Sequence, residues 1–123
     1  MEKKHLSLPV PYPEAQAVID RIHAYGGIAV LAHPGVAFYH REALLDELYH
    51  DGIDGIEVFT TYHDEKERQF FKTYAKKRKL FISGGSDFHG SYKPNIRMGE
   101  FGMQAEEQPL LEPLLRQLCT CNE

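Results

Sequence analysis

Apolar positions in this chain fall into two alternating patterns. Ala15, Val18, Ile19 and Ile22 recur at helical spacing, Pro13 and Glu14 suit a first turn, and Gly26-Gly27 ends the run, so a helix is predicted there. Ile28 to Ala32 is a short continuous apolar run, the pattern of a strand buried on both faces of a parallel sheet, and His33-Pro34-Gly35 ends it. Leu44, Leu45 and Leu48 predict a second helix from about Arg41 to Gly52. Ile53 to Phe59 holds the next strand, over Gly55 to Phe59. Asp64 and Glu67 have capping-box spacing for a third helix, whose apolar face is Phe70, Phe71, Tyr74 and Ala75. Leu80 to Ser83 reads as a third strand and Gly99 to Met103 as a short fourth. Leu110, Leu111, Leu114, Leu115 and Leu118 mark a terminal helix. Pro109 fits its first turn, and Pro113 requires the helix to start near residue 112 or to bend. Residues 1 to 12 have no clear period and read as an extended lead-in.

Strands separated by helices imply a parallel sheet with right-handed crossovers. The predicted fold class is therefore α/β, with three to four mainly parallel strands and flanking helices, in one domain over residues 1–123. Such folds carry function at the carboxyl ends of their strands. His33 and Asp87 each follow a predicted strand, Glu57 lies within the middle one, and Tyr62-His63 come just after it. The polar residues therefore fall on one rim.

Composition adds bounds. A chain of 123 residues supports one modest core, and 42% hydrophobic with 26% charged residues is ordinary for a globular protein. No segment approaches the roughly 20 apolar residues of a membrane helix, and Met1-Glu2-Lys3-Lys4-His5 opens no secretion signal, so a cytoplasmic location without membrane partners is expected. The net charge of -4 argues against general affinity for nucleic acid. The run Lys76-Lys77-Arg78-Lys79 suits a helix C-terminus, where cations complement the dipole. Cys119 and Cys121 are too close for an ordinary zinc pair and read as part of a terminal tail.

The richest chemistry is in Ser83-Gly84-Gly85-Ser86-Asp87-Phe88-His89-Gly90. An aspartate and a histidine two residues apart suit a divalent metal, and the glycines allow close approach of backbone to ligand. The bland alternative is a capping aspartate beside a surface histidine. Phe88 is expected to pack into the core. His33, stiffened by Pro34, is a second candidate metal ligand or else a hydrogen-bonded strand-end histidine. Glu57 either orients a ligand histidine or accepts backbone donors in a structural role. Tyr62 and His63 are candidates for contact with a substrate phosphate, against a role in a capping loop. Lys93 and Arg97 are candidates to receive an anion, against ordinary solvated cations.

Three segments carry a family resemblance. Gly27 to Gly35, Gly55 to Phe59 and Ser83 to Gly90, in this order, resemble the polymerase and histidinol phosphatase (PHP) superfamily, and within it a branch of small bacterial phosphoesterases. The resemblance runs from about Tyr12 to Gly102. It implies a distorted seven-stranded β/α barrel whose carboxyl rim holds up to three divalent metals, often manganese, zinc or iron, which activate water and clamp a phosphate ester. Activities in the branch include removal of the 3′-phosphate of nucleoside 3′,5′-bisphosphates and trimming of short nucleic acids from the 5′ end. His33 matches the histidine of the third motif, and Asp87 and His89 match the pair of the fourth. The implied metal ligands are thus His33, Asp87 and His89, with Asp87 and His89 catalytic and Ser86, His63 and Lys93 in contact with substrate.

The family's first motif, His-x-His with a following aspartate, and its second-motif histidine have no counterpart before residue 27. The resemblance therefore implies the carboxyl-terminal part of a PHP domain, with metals incompletely coordinated by this chain. The expected function is the carboxyl-terminal half of a metal-dependent phosphoesterase. The alternatives are a catalytically inactive PHP-like binding or structural module, and a free-standing zinc protein using only His33, Asp87 and His89. A partial barrel leaves sheet edges and apolar surface open, so homodimerisation through those edges is expected. Light scattering across a concentration series tests this, and a constant monomer mass counts against it.

Overall fold

The computed structural model describes residues 13–120; the expected lead-in and Cys121 lie outside them. Seven elements follow in order: α1 (Ala15–Ala24), β1 (Val30–Leu31), α2 (Glu42–Asp51), β2 (Gly55–Thr60), α3 (Glu65–Arg78), β3 (Phe81–Gly85) and α4 (Glu112–Thr120). Short 3-10 turns occupy Pro34–Val36, Gly90–Tyr92 and Ala105–Leu111. The strands form one sheet in the order β1-β2-β3, and both pairings are parallel. Among the described residues no helix is long and apolar enough to cross a membrane.

The middle strand dictates the architecture. Ile56, Val58 and Phe59 of β2 are fully buried, as a strand covered on both faces requires. Val30 pairs with Gly55 on one side, and Gly55 pairs with Phe81 on the other. The β2–β3 register then slips between Glu57 and Phe59, so that Glu57 faces Ser83 and Phe59 faces Gly84. One extra residue on β2 is thereby inserted just below the rim, as in a bulge that re-aims side chains. The core around this strand includes Ile19, Leu45, Phe71, Tyr74 and Ile82. Each large side chain so buried contributes about 1.5–3 kcal/mol.

The helices obey their local signals. The Asp64 carboxylate accepts from the Glu67 N–H at 2.8 Å, and the Glu67 carboxylate accepts from the Asp64 N–H at 3.2 Å, completing the expected capping box. Lys76, Lys77 and Arg78 close α3 as expected, and Lys79 ends it in the left-handed region. A clamp then joins α3 to α2: the Tyr74 hydroxyl donates to Asp46 Oδ1 at 2.6 Å, Arg78 donates to the same oxygen at 2.8 Å, and the Arg78 guanidinium lies 3.8 Å from the Tyr74 ring centroid. The Tyr74 hydrogen bond, more than the neighbouring Arg78, holds the Asp46 carboxyl below its ordinary range.

Several sequence expectations need correction. The expected strand over Ile28–Ala32 pairs only at Val30 and Leu31. Gly99 to Met103 forms no strand: Gly99 and Gly102 have φ of +80° and +78°, incompatible with extended backbone. Pro109 lies inside the 3-10 segment, while Pro113 is accommodated because α4 starts at Glu112. Of the α1 stripe only Ile19 is buried, and Val18 is 39% exposed.

At the end of β2 the Thr60 hydroxyl is buried with no hydrogen-bond partner. A buried unpaired hydroxyl is unfavourable by about 1–3 kcal/mol. Thr60→Val, which keeps the shape and removes the polar atom, is expected to raise the urea midpoint, corresponding to about 1 kcal/mol of added stability. An unchanged or lower midpoint would show that Thr60 has a partner.

Candidate active site

The carboxyl ends of the three strands converge, and each end is shaped by backbone that few side chains tolerate. After β1 the chain turns at His33, with φ +29°. The His33 N–H donates to Glu57 Oε2 at 2.7 Å, so a carboxylate from the middle strand fixes the histidine turn. The Gly35 N–H donates to His63 Nε2 at 2.8 Å. A Cβ at Gly35 would meet the Glu67 carboxylate and lie 2.5 Å from His63 Cδ2, so only glycine fits there.

After β3 a similar constraint operates. A Cβ at Gly84 would lie 2.8 Å from the Phe101 ring and 3.0 Å from Phe59 Cβ. The run then bends at Asp87, whose φ is +58°. The Thr61 hydroxyl donates to the Ser86 carbonyl at 2.8 Å, tying the loop after β2 to the loop after β3. Non-glycine residues in the left-handed region are strained, and such strain gathers at functional sites. Two of the three such residues among the described residues, His33 and Asp87, are candidate ligands.

Tyr62 joins these two ends. Its ring meets that of His33 edge-on, with centroids 5.5 Å apart. Its hydroxyl donates to Asp87 Oδ2 at 2.5 Å and accepts from Lys93 Nζ at 2.5 Å. Lys93 Nζ also donates to Asp87 Oδ2 at 2.8 Å. The Lys93 hydrogen bond, followed by that of Tyr62, holds the Asp87 carboxyl down to about 2. The reciprocal contact with Asp87 raises Lys93 above the ordinary lysine range. His89 is exposed, and its Nδ1 lies 2.6 Å from the Asp87 carbonyl. With Nδ1 as donor there, Nε2 faces outward with its lone pair available.

The sequence expectations therefore meet different outcomes. His33, Asp87 and Lys93 come together around Tyr62, and His89 stands beside Asp87. Glu57 accepts the His33 backbone N–H, as the structural one of its two readings expects. His63, expected to touch substrate, is instead only 3% exposed: its ring stacks on Phe71 with centroids 5.0 Å apart, and both nitrogens are engaged. Its role is to hold the loops. Ser86, also expected at the substrate, is 8% exposed, and its carbonyl is committed to Thr61. Phe88 does not enter the core but is 45% exposed past the left-handed turn at Asp87. Arg97 lies on the surface, 3.9 Å from Glu100. The tie made by Thr61 has no sequence signal, because a threonine at a strand end carries no pattern of its own.

The donor types fit a divalent cation: two imidazoles and a carboxylate, with the carboxylate and one imidazole side by side. Yet among the described residues no three His, Cys, Asp or Glu side chains are grouped so as to hold a metal. His33, Asp87 and His89 thus do not form such a group among the described residues.

No family model matches the chain. It is 34% identical over 83 residues to a phosphoribosyl 1,2-cyclic phosphate 1,2-diphosphodiesterase of Eggerthella lenta, covering 68% of this chain and 31% of that protein. It is 33% identical over 96 residues to a 3′,5′-nucleoside bisphosphate phosphatase of Chromobacterium violaceum, covering 76% and 33% respectively. It is 36% identical over 86 residues to the 5′-3′ exoribonuclease Rnm of Salmonella typhimurium, covering 67% and 29%. The chain thus spans about a third of the length of these curated relatives. Among solved structures it matches a protein assigned as a metal-dependent phosphoesterase from Bifidobacterium adolescentis, with TM-score 0.72 and 30% identity over 95% of this chain and 41% of that one. It also matches an amidohydrolase from Chromobacterium violaceum with bound sulfate and no metal, with TM-score 0.72 and 28% identity over 91% and 39%.

The buried histidine gives a pH-dependent expectation. Since Gly35 donates to Nε2, the neutral ring carries its proton on Nδ1 and donates to the Val58 carbonyl at 2.8 Å. Protonating Nε2 would destroy the Gly35 contact. Burial is the main cause that lowers the His63 pKa below its ordinary 6.5. With the folded value depressed, His63's contribution to stability is present above 6.5 and is lost as pH falls toward the folded value. Urea midpoints measured between about pH 7.5 and pH 5 should fall more steeply for the wild type than for His63→Gln. Equal slopes would refute this.

Proposed function

The chain belongs to the PHP superfamily of phosphoesterases, and we propose that it contributes one face of the active-site rim of a metal-dependent enzyme that hydrolyses phosphate esters of nucleotide or short nucleic-acid type. One observation carries the reading: the Tyr62 hydroxyl lies between the Asp87 carboxylate and the Lys93 ammonium, with the His33 ring packed on the same tyrosine. A cation-liking carboxylate, an imidazole and an anion-liking ammonium thus share the carboxyl end of one sheet. The three relatives also share a substrate chemistry by name, since each acts on a phosphate ester, of a phosphoribosyl group, a nucleoside or RNA. A solved neighbour binds sulfate, a tetrahedral dianion of the same shape as phosphate.

On this reading the chain is one domain over residues 1–123, equivalent to the carboxyl-terminal part of a PHP domain. His33, Asp87 and His89 each offer one donor to divalent metal, manganese, zinc or iron, and residues beyond this set complete the coordination. A divalent cation at such a rim polarises a phosphoryl oxygen and acidifies a bound water. The chain's own residues do the rest. Glu57 holds the His33 turn in place. The His89 ring is oriented by the Asp87 carbonyl, so Nε2 points outward. Lys93 supplies a positive charge for a phosphate oxygen, and Asp87, with its depressed pKa, stays ionised throughout the physiological range. His63 and Ser86 support the loops rather than the substrate. A cytoplasmic location and pairing of two copies through the open sheet edges belong to the same reading.

A second reading has its own support. Asp87 Oδ2 is already satisfied by Tyr62 and Lys93, and a rim of that kind suits a PHP-like module that has given up metal and catalysis.

Calorimetric titration of the full chain with manganese, followed by adenosine 3′,5′-bisphosphate, separates the two. The enzyme reading expects saturable manganese binding, weakened at least about tenfold by Asp87→Ala or His89→Ala with the circular dichroism unchanged. It also expects the bisphosphate to bind more tightly in the presence of manganese. Manganese binding indifferent to both substitutions would reject it in favour of the inert module.

A further inference from the structure

We infer that Lys93 is a built-in counter-ion that occupies the cation position of Asp87, so that a divalent metal and the lysine ammonium compete for one carboxylate oxygen. The inference rests on the metal-dependent reading of the rim and assigns Lys93 a role before any substrate arrives.

The geometry is specific. Asp87 presents Oδ2 to two donors at once, the Tyr62 hydroxyl at 2.5 Å and Lys93 Nζ at 2.8 Å. Lys93 Nζ donates at the same time to the Tyr62 oxygen at 2.5 Å, so the three groups close a ring of short contacts. The other carboxylate oxygen, Oδ1, is 3.6 Å from His89 Nδ1 and has no comparable donor. A cation approaching Asp87 therefore meets one oxygen already bound to a positive charge. At a few ångströms a divalent ion and an ammonium repel each other, and the carboxylate cannot satisfy both at full strength.

The tether permits exchange. Lys93 lies beyond the short turn Gly90–Tyr92, its side chain is 40% exposed, and its ammonium sits 5.1 Å from the Tyr62 ring centroid. A lysine is a point charge on a flexible stem, so leaving Asp87 requires only rotation toward solvent. The same side chain, once released, is free to meet an anion at the rim. By reciprocity, whatever draws Lys93 away strengthens metal at Asp87, and metal at Asp87 frees Lys93 by the same factor.

The test is manganese titration of the full chain by calorimetry, comparing wild type, Lys93→Met, Lys93→Arg and Asp87→Asn. Lys93→Met should bind manganese about tenfold more tightly, the scale expected when a charged hydrogen-bond competitor is removed. Lys93→Arg should bind manganese no more tightly than the wild type, and Asp87→Asn should bind it more weakly. Equal or weaker binding by Lys93→Met, or no binding by any protein, overturns the inference. If Asp87→Asn weakens binding while Lys93→Met leaves it unchanged, the competition fails and the metal-dependent reading stands. If Asp87→Asn has no effect, that reading fails as well. A measurement on the wild type guards against a folding defect in the variants. The Lys93 side-chain resonances should shift on saturation with diamagnetic zinc, toward those of a solvated lysine; resonances unmoved at saturation count against exchange.

Discussion

Everything at the rim depends on β2 being hydrogen-bonded on both edges at once. A strand paired with parallel neighbours on both sides brings three carboxyl ends to one level, and the loops that leave them face one another. The bulge between Glu57 and Phe59 refines this. It leaves Glu57 paired with Ser83 below the rim, with its carboxylate reaching sideways to the His33 N–H, while the residues beyond the slip lead to Tyr62. Without the double pairing, His33 and Asp87 would lie on separate loops with no common neighbour.

A buried histidine then converts sheet geometry into loop geometry. His63 links the Gly35 N–H of the first loop to the Val58 carbonyl of the middle strand, and it stacks on Phe71 of the third helix. Its two nitrogens have opposite roles, acceptor and donor, so only the neutral ring serves. Glu67, which caps α3, also crowds Gly35, so the first turn of that helix is part of the same joint. Packing, capping and loop placement therefore rest on few side chains. Such economy explains why a histidine that follows a strand end in sequence is buried.

That distinction marks what was legible in the sequence. The helix and strand pattern, the capping box at Asp64 and the parallel order followed from apolar spacing and turn residues, because those signals are local and repeated. The rim followed from position alone, since polar residues just after buried strands have few other places to go. What could not be read was the direction of individual side chains. His63 follows a strand as His33 does, yet one ring turns into the core and the other toward Tyr62. Phe88 is apolar, but the left-handed backbone at Asp87 carries it outward. Two glycines at positive φ turned an apparent fourth strand into a loop, and glycine alone does not announce the sign of its φ.

The electrostatics of the rim follow from the same geometry. The Asp87 carboxylate, held by a left-handed turn just past β3 and 26% exposed, takes a compensating charge from within the chain. Lys93 and the Tyr62 hydroxyl provide that compensation, and in doing so they stabilise the ionised form strongly enough to depress its pKa to about 2. The partner is nevertheless a lysine on an exposed loop rather than an arginine in a fixed bidentate clamp. A point charge on a flexible stem neutralises without locking, and it leaves the geometry of the carboxylate intact for another cation. An arginine fork would stiffen the rim and close it. The choice of residue therefore leaves a carboxylate that is neutralised without being locked in place.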